Sequence, residues 1–138
     1  MKKLPNWDSL FFDFVEKNRK KQFEWGKWDW CLFADACIKE ITGESLIPKE
    51  LKWKNKKTAL EAIKSYGGSL KKSIEKACKA KKVKSIHKNF CTTGDLVVFK
   101  EKSELVGMSD GFNVLSPSDD GLEVKNDVKI LKVFRFDG

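Results

Sequence analysis

The sequence predicts a single α+β domain in which helices precede an antiparallel sheet. Up to about residue 90 the apolar residues recur at helical spacing, whereas from Thr93 onward short apolar runs alternate with glycine-containing turns. Helices followed by a run of strands are typical of α+β folds. The 138 residues are 41% hydrophobic, which is enough for one core. We therefore expect one domain over residues 1–138, with helices over about 1–90 and about five strands over about 91–138.

The helical part is predicted to contain four helices. Each carries apolar residues three or four positions apart, so each presents one apolar face. Gly43 suits the C-terminal end of the second helix, and Gly67-Gly68 separates the third from the fourth. The third helix is expected to turn Leu60 and Ile63 inward, together with Ala59 and Ala62. The predicted positions are a helix containing Trp7 to Val15, then about Trp30–Ile41, Lys57–Tyr66 and Leu70–Ala80.

The C-terminal part shows the spacing of strands. Short apolar runs are bounded by Gly94-Asp95, by Ser109-Asp110-Gly111 and by Asp119-Asp120-Gly121, which are turn signals. The last segment alternates apolar and basic residues, as a closing strand does. The predicted strands are Leu96–Phe99, Leu105–Met108, Phe112–Leu115, Leu122–Val124 and a segment from Val128 to Phe136.

The net charge of +8 comes from 28 basic and 20 acidic residues, and the excess is mostly lysine between Lys49 and Lys88. Only Arg19 and Arg135 are arginines, although proteins that recognise bases and phosphates favour the bidentate arginine fork. This composition argues against specific nucleic-acid recognition. It favours solvated helix faces or, as the functional alternative, a match to an acidic partner surface.

Other classes of protein are also disfavoured. No run of about 18 apolar residues is present, and the N-terminal residues lack the apolar core of a signal peptide, so we expect no membrane insertion. The four cysteines include no Cys-x-x-Cys pair, and the single histidine, His87, has no partner at ligand spacing. We therefore expect reduced thiols, no metal site and no cofactor.

The segment from Phe23 to Gly43 is the most informative part of the sequence. A Trp-Gly turn leads to Asp29, a suitable helix N-cap, and Cys31 falls in the first turn of the helix that follows. A helix N-terminus stabilises a thiolate, so Cys31 is a candidate nucleophile; the alternative is a buried structural thiol. Asp35, further along, is expected to face solvent or to bond the Trp-Gly turn.

Three tryptophans surround this helix start. We expect Trp25 and Trp30 to be core residues and Trp28 to be the partly exposed one. Exposed aromatic rings here could alternatively stack on sugars or bases, or bind a protein partner, because tryptophan is enriched at interface hot spots. With Asp29, the three tryptophans are the binding candidates.

The order of these features resembles that of NlpC-type, papain-like peptidoglycan peptidases, in which a cysteine helix precedes a meander that opens with Gly-Asp-Leu-Val. It is most similar to a phage-encoded branch whose genes lie among those for tail-tip proteins. The residues in register are Phe23, Trp25, Gly26, Asp29, Cys31, Leu32, Phe33, Ala34, Thr42 and Gly43. Later segments in register are Ala59–Leu70, Gly94–Val98, Leu105–Met108 and Asp120–Leu122.

The resemblance departs from the family at both catalytic positions. The nucleophilic cysteine of the family falls on Trp30, and Cys31 takes the next position, a rotation of about 100° around the helix. The family's catalytic histidine would fall around Glu104 to Val106, where this chain has none, whereas His87 precedes the Gly-Asp strand. The resemblance thus implies a papain-like fold whose chemistry has been lost.

Three functions follow as hypotheses. The first is a non-enzymatic structural or assembly protein of a phage tail tip or hub, located in the virion or in the host cytoplasm during assembly. It would bind other tail or hub proteins through the former cleft around Trp25 to Trp30 or through the basic helices. The second is an active cysteine peptidase that contacts and cleaves peptidoglycan stem peptides during entry, with Cys31 and His87 as its catalytic pair. The third is a basic protein that binds nucleic acid or a host factor.

Overall fold

The computed structural model describes residues 1–137 and confirms the α+β class. Four helices precede six strands, and the strands form one antiparallel sheet in the order β1-β6-β2-β3-β4-β5. Within the described residues no helix is long and apolar enough to cross a membrane. The helices are α1 (Trp7–Lys17), α2 (Trp30–Thr42), α3 (Lys56–Tyr66) and α4 (Leu70–Ala80). The strands are β1 (Lys84–Ile86), β2 (Leu96–Lys100), β3 (Glu104–Ser109), β4 (Val114–Ser118), β5 (Gly121–Lys125) and β6 (Lys129–Arg135).

The core lies mainly between the helices and one face of the sheet. Helix α1 packs on α2, and α2 packs on β3 and β4. Alternate residues of one strand point to opposite faces, so Val98 of β2 faces this core while Val97 and Phe99 belong to a second buried cluster on the other face. Leu105 and Val114 complete the second cluster. The sheet is therefore apolar on both faces near its centre, which explains the nearly continuous apolar run of β2.

Two strand predictions were wrong in detail. The sheet has six strands rather than about five, because β1 pairs with β6 although its three residues contain only one apolar side chain. The strand predicted over Phe112–Leu115 is β4, which starts later, and Phe112 is 94% exposed in the preceding turn. The carboxylate of Asp110 accepts hydrogen bonds from the backbone N–H groups of Phe112 and Asn113, which holds this turn.

The Gly-Asp turn before β2 contains a buried carboxylate paired with a half-buried arginine, which the sequence did not indicate. Asp95 is fully buried, and its two carboxylate oxygens accept hydrogen bonds of 3.0 and 2.8 Å from the Arg135 guanidinium on β6. The backbone N–H of Thr92 donates a third, at 2.9 Å. Asp95 therefore fixes the turn and the last strand to each other, which is a structural role.

The third helix is less buried than its sequence predicted. Of its residues only Ala59 is fully buried, and Leu60, expected to face inward, is 53% exposed. Helix α3 packs against α4 and not against the sheet. Its apolar stripe therefore borders a cleft instead of the core.

Candidate functional site

The site begins with the turn that leads into α2. The backbone N–H of Trp28 donates a 2.7 Å hydrogen bond to the carbonyl of Glu24, and Gly26 at the tip has φ +78°. A Cβ at position 26 would lie 2.7 Å from the Cα of Lys54, so glycine is required both by the backbone conformation and by this close approach.

Asp29 is the N-cap of α2, as predicted, and it does more than cap the helix. It is 2% exposed, and its Oδ1 accepts a 3.0 Å hydrogen bond from the N–H of Leu32. Its Oδ2 accepts bonds of 3.0 Å from the N–H of Gly26 and 2.7 Å from the indole N–H of Trp53. One buried carboxylate thus joins the turn, the helix and the connection before α3. Trp53 was missed in the sequence, although a lone tryptophan among lysines is the signal that could have indicated it.

The prediction of which tryptophans are buried was wrong. Trp28 is 6% exposed and packs on the rings of Phe14 and Phe33, whereas Trp25 and Trp30 are half-buried. The tight turn directs the Trp28 ring inward, so this ring lies in the core and not in a cleft. The rings of Trp25 and Trp30 meet edge to face with centroids 5.3 Å apart, and each also contacts Phe23.

A cleft of about 400 Å³ lies beside the start of α2, within the volume range of small-ligand and peptide sites. Trp25, Trp30 and Trp53 form one side, and the exposed stripe of α3 forms the other. The start of α4 and the residues Ser103 and Glu104 at the start of β3 also line it. Cys31 and Asp29 contribute to the wall, so four of the six candidate site residues lie here; Trp28 and His87 do not.

The surroundings of Cys31 favour the protonated thiol. Burial raises its pKa to about 12, and the negative charges of Asp29 and Asp35 act in the same direction. The effect is opposite to the lowering that a helix N-terminus alone would cause. A thiol in this state is a poor nucleophile at neutral pH.

His87 is placed outside the cleft. It caps a short 3-10 helix, Lys88–Phe90, and its Nδ1 accepts a 3.1 Å hydrogen bond from the N–H of Asn89. The side chain is exposed, and the nearest aromatic ring is that of Phe90. His87 does not line the described cleft beside Cys31, so the cleft does not pair a thiol with an imidazole.

The start of β3, where the resemblance would place the catalytic histidine, holds a carboxylate and an apolar residue, Glu104 and Leu105. Glu104 lines the cleft, and its Oε1 accepts a 3.1 Å hydrogen bond from the N–H of Lys71 in the first turn of α4. Leu105 belongs to the buried cluster against which Trp30 packs. An apolar contact therefore occupies the junction between the start of α2 and the start of β3.

The position predicted for Asp35 was wrong. The residue is half-buried, and its carboxylate does not bond the Trp-Gly turn. It accepts hydrogen bonds from the backbone N–H groups of Leu46 and Ile47 and from the hydroxyl of Ser45. Asp35 therefore orders the chain that follows α2, where backbone N–H groups would otherwise lack partners.

No group of three or more histidine, cysteine or acidic side chains within residues 1–137 is arranged to hold a metal ion. The candidate site is a mostly apolar cleft, whose shape and lining suit the binding of a ligand.

The chain was compared with known families and proteins. No curated protein matches it. A family model described as "Domain of unknown function (DUF6950)" matches residues 2–136. Since this match covers nearly the whole sequence, the chain belongs to the DUF6950 family.

Proposed function

We propose that this protein is a catalytically inactive, NlpC-like binding protein, and that it serves as a structural or assembly component of a phage tail tip or hub. In this proposal the cleft at the start of α2 binds a partner protein and does not cleave it. The observation that carries the proposal is the position of Trp30: an indole occupies the first position of α2 and packs against the buried cluster that includes Leu105.

The chemistry of a cysteine peptidase requires a thiolate and an imidazole within hydrogen-bond reach. Trp30 supplies no nucleophile, the Cys31 thiol is held protonated, and the chain's single histidine lies away from the cleft. Glu104 is already bonded to the N-terminus of α4. These features support a binding role for the cleft.

The start of α2 is held in place by hydrogen bonds. Asp29 holds three hydrogen bonds at the helix start, and the cleft remains open although Trp30 fills part of it. Fold and function are separable, because function depends on sites carried by a fold. An open cleft with a rigid edge and without a nucleophile at the first position of α2 is suited to recognition.

The assignment to a phage tail rests on the ordered resemblance of residues 23–43 and of the later segments to the phage-encoded NlpC-type branch. The α+β architecture, with a helix start facing the beginning of β3, is compatible with that resemblance. Residence in the virion, or in the host cytoplasm during assembly, follows from the same proposal.

The loss of activity is tested by incubating the purified protein with peptidoglycan sacculi and measuring released stem peptides by liquid chromatography and mass spectrometry. The protein and its Cys31→Ala variant should both release no more than buffer, while an active peptidase in parallel confirms that the sacculi are cleavable. Release that disappears in Cys31→Ala would contradict the proposal and establish a thiol peptidase.

The tail assignment is tested by quantifying the protein in purified particles of the encoding phage and in tailless assembly mutants. Absence of the protein from both particles and assembly intermediates would refute the assignment.

A further inference from the structure

We infer that the cleft binds an acidic segment of a partner protein that carries at least one large apolar side chain. The inference rests on the proposed function, because it specifies the chemistry of the partner that the inactive cleft takes up. It follows from three observations: the distribution of charge along the chain, the exposed stripe of α3, and the hydrogen bonds that already engage the carboxylates of the cleft.

Positive charge is concentrated in the segment that contains α3 and the start of α4, and two of its lysines, Lys56 and Lys64, line the cleft. Residues 49–88, which include α3, α4 and β1, carry 14 lysines and 3 glutamates, whereas the rest of the chain carries 14 basic and 17 acidic residues. The segment is therefore at +11 and the remainder at −3. Within residues 1–137 none of these 14 lysines forms a salt bridge. Uncompensated charge of one sign beside a cleft attracts ligands of the opposite sign.

The cleft-facing stripe of α3 is apolar in its middle and basic at both ends. Ala59, Leu60 and Ile63 form the middle, and Lys56 and Lys64 flank them. These positions recur at helical spacing, so they form one face. On this face Leu60 is 53% exposed, whereas Ala59 is buried and Ile63 is half-buried. A large apolar side chain of a partner would remove Leu60 and the neighbouring tryptophan rings from water, which is favourable.

The carboxylates of the cleft are already engaged, whereas its lysines are free of carboxylate partners. Asp29 accepts three N–H groups, and Glu104 accepts the N–H of Lys71. The groups of the cleft that are free to pair with a ligand carboxylate are therefore Lys56 and Lys64, at the two ends of the apolar stripe. Eight residues along a helix span about 12 Å, which an extended peptide covers in about four residues. The expected partner motif has two acidic residues about four positions apart with an apolar residue between them.

Protein is favoured over nucleic acid as the occupant. Trp25 and Trp30 meet at an interplanar angle of 90° and also pack on Phe23, so these rings are engaged by each other and do not form an open stacking platform. Neither arginine lines the cleft, and Arg135 is paired with Asp95. Apolar walls, aromatic on one side and aliphatic on the other, with lysines at the rim suit an acidic, apolar peptide.

The test begins with selection of a random-peptide display library on the immobilised protein, followed by fluorescence anisotropy of the enriched peptides. The selected peptides should share an apolar residue flanked by acidic residues, and their affinity should fall as salt rises. Leu60→Glu should weaken binding at least about tenfold, because it places a carboxylate in the apolar stripe and repels the acidic ligand. Val124→Glu is the matched control, since Val124 is 58% exposed on β5 and does not line the cleft; it should leave the affinity unchanged.

A second pair of variants tests how much the lysine charges contribute to peptide binding. The double variant Lys56→Gln/Lys64→Gln should weaken binding about tenfold and flatten the salt dependence. Lys17→Gln/Lys39→Gln removes the same charge from exposed sites outside the cleft and should have little effect. Circular dichroism and urea unfolding establish that each variant is folded.

Several results would overturn the inference. These are the absence of any enriched peptide, enriched peptides without acidic residues, or binding that Leu60→Glu and Val124→Glu affect equally. Tight binding of a single-stranded oligonucleotide that Leu60→Glu abolishes would assign the cleft to nucleic acid. Self-association in sedimentation experiments that the same substitution abolishes would make a second copy the occupant. Release of stem peptides in the peptidoglycan assay would refute the inactive role independently of the peptide selection.

Discussion

The indole N–H of Trp53 donates a 2.7 Å hydrogen bond to Oδ2 of Asp29, a residue 24 positions earlier in the chain. The bond ties the connection before α3 to the N-terminus of α2, and both residues line the cleft. The same carboxylate caps α2 and holds the Gly26 turn. The shape of one end of the cleft therefore depends on a single buried side chain.

Asp29→Ala should lower the free energy of unfolding by about 2–4 kcal/mol, because a helix cap contributes about 1 kcal/mol and hydrogen bonds to a buried charge contribute more. Urea denaturation monitored by circular dichroism measures this. Asn55→Ala removes an exposed capping box at α3 and should cost only about 1 kcal/mol. Trp53→Phe should fall between the two; a loss in Asp29→Ala no greater than that in Asn55→Ala would show that Asp29 acts only as a cap.

Gly26 and Gly43 provide a matched comparison of backbone strain. Both have positive φ, +78° and +82°, but a Cβ at Gly43 meets nothing within 4 Å, whereas one at Gly26 would collide with Lys54. Gly43→Ala should therefore cost about 1 kcal/mol, the penalty of the left-handed conformation alone. Gly26→Ala should cost about 2 kcal/mol or more and should also weaken peptide binding, because Lys54 adjoins Trp53. Thermal unfolding measures the loss of stability, and fluorescence anisotropy measures the loss of peptide affinity. Equal destabilisation by Gly26→Ala and Gly43→Ala would contradict the close approach of Lys54 to Gly26.

The Cys31 thiol should be unreactive in the native protein. With its pKa raised to about 12, the thiolate fraction at pH 7.5 is more than about a hundredfold below that of a free cysteine. Alkylation by iodoacetamide, followed by mass spectrometry between pH 6 and 10, should be slow and should rise throughout without a plateau. In the variant Trp30→Cys/Cys31→Ser the introduced thiol lies at the first position of α2 and should react faster. A plateau for Cys31 with a midpoint below about 8.5 would instead indicate a prepared nucleophile.

The free energy of unfolding should decrease as the pH rises into the alkaline range. Burial raises the pKa of Cys31 and Cys78 to about 12 and moves that of Cys37 further above its usual range. Thiols of the unfolded chain ionise from about pH 8.5, so above that pH the unfolded state binds fewer protons than the folded state, and stability falls as pH rises. Each thiol contributes up to about 1.4 kcal/mol per pH unit.

Urea titrations between pH 8 and 9.5 measure this slope below the range in which most lysines titrate. Cys78→Ala lowers stability at every pH by leaving a cavity, but its slope should be shallower than that of the parent protein. An unchanged slope would mean that the Cys78 thiol ionises as easily in the folded protein as in the unfolded chain.

Much of the fold could be predicted from the sequence because the deciding interactions are local. Apolar spacing located all four helices, and Asp29 and Gly43 marked the two ends of α2 as the structure has them. Turn residues located the strands of the C-terminal half. The exceptions have local causes: β1 is a short strand among lysines, and an Asx turn at Asp110 delays β4.

The contents of the candidate site were less predictable. Residues in turns follow no periodic pattern, so spacing could not show that Trp28 is buried while Trp25 and Trp30 line a cleft. Helical periodicity identified the apolar stripe of α3 but not what it faces. Leu60 was therefore expected inside, although it borders the cleft.

The sequence by itself determined the α+β class, the start of α2 at Asp29, the absence of a thiol at position 30 and the concentration of lysine in residues 49–88. Only the tertiary structure decided that Trp53 bonds Asp29, that Glu104 is bound by the N-terminus of α4, and that burial raises the pKa of the Cys31 thiol. Local spacing and capping act within a few residues, whereas these two hydrogen bonds join residues 24 and 33 positions apart. Which distant segments meet depends on how the helices pack on the sheet, and the chemistry of the cleft follows from that packing.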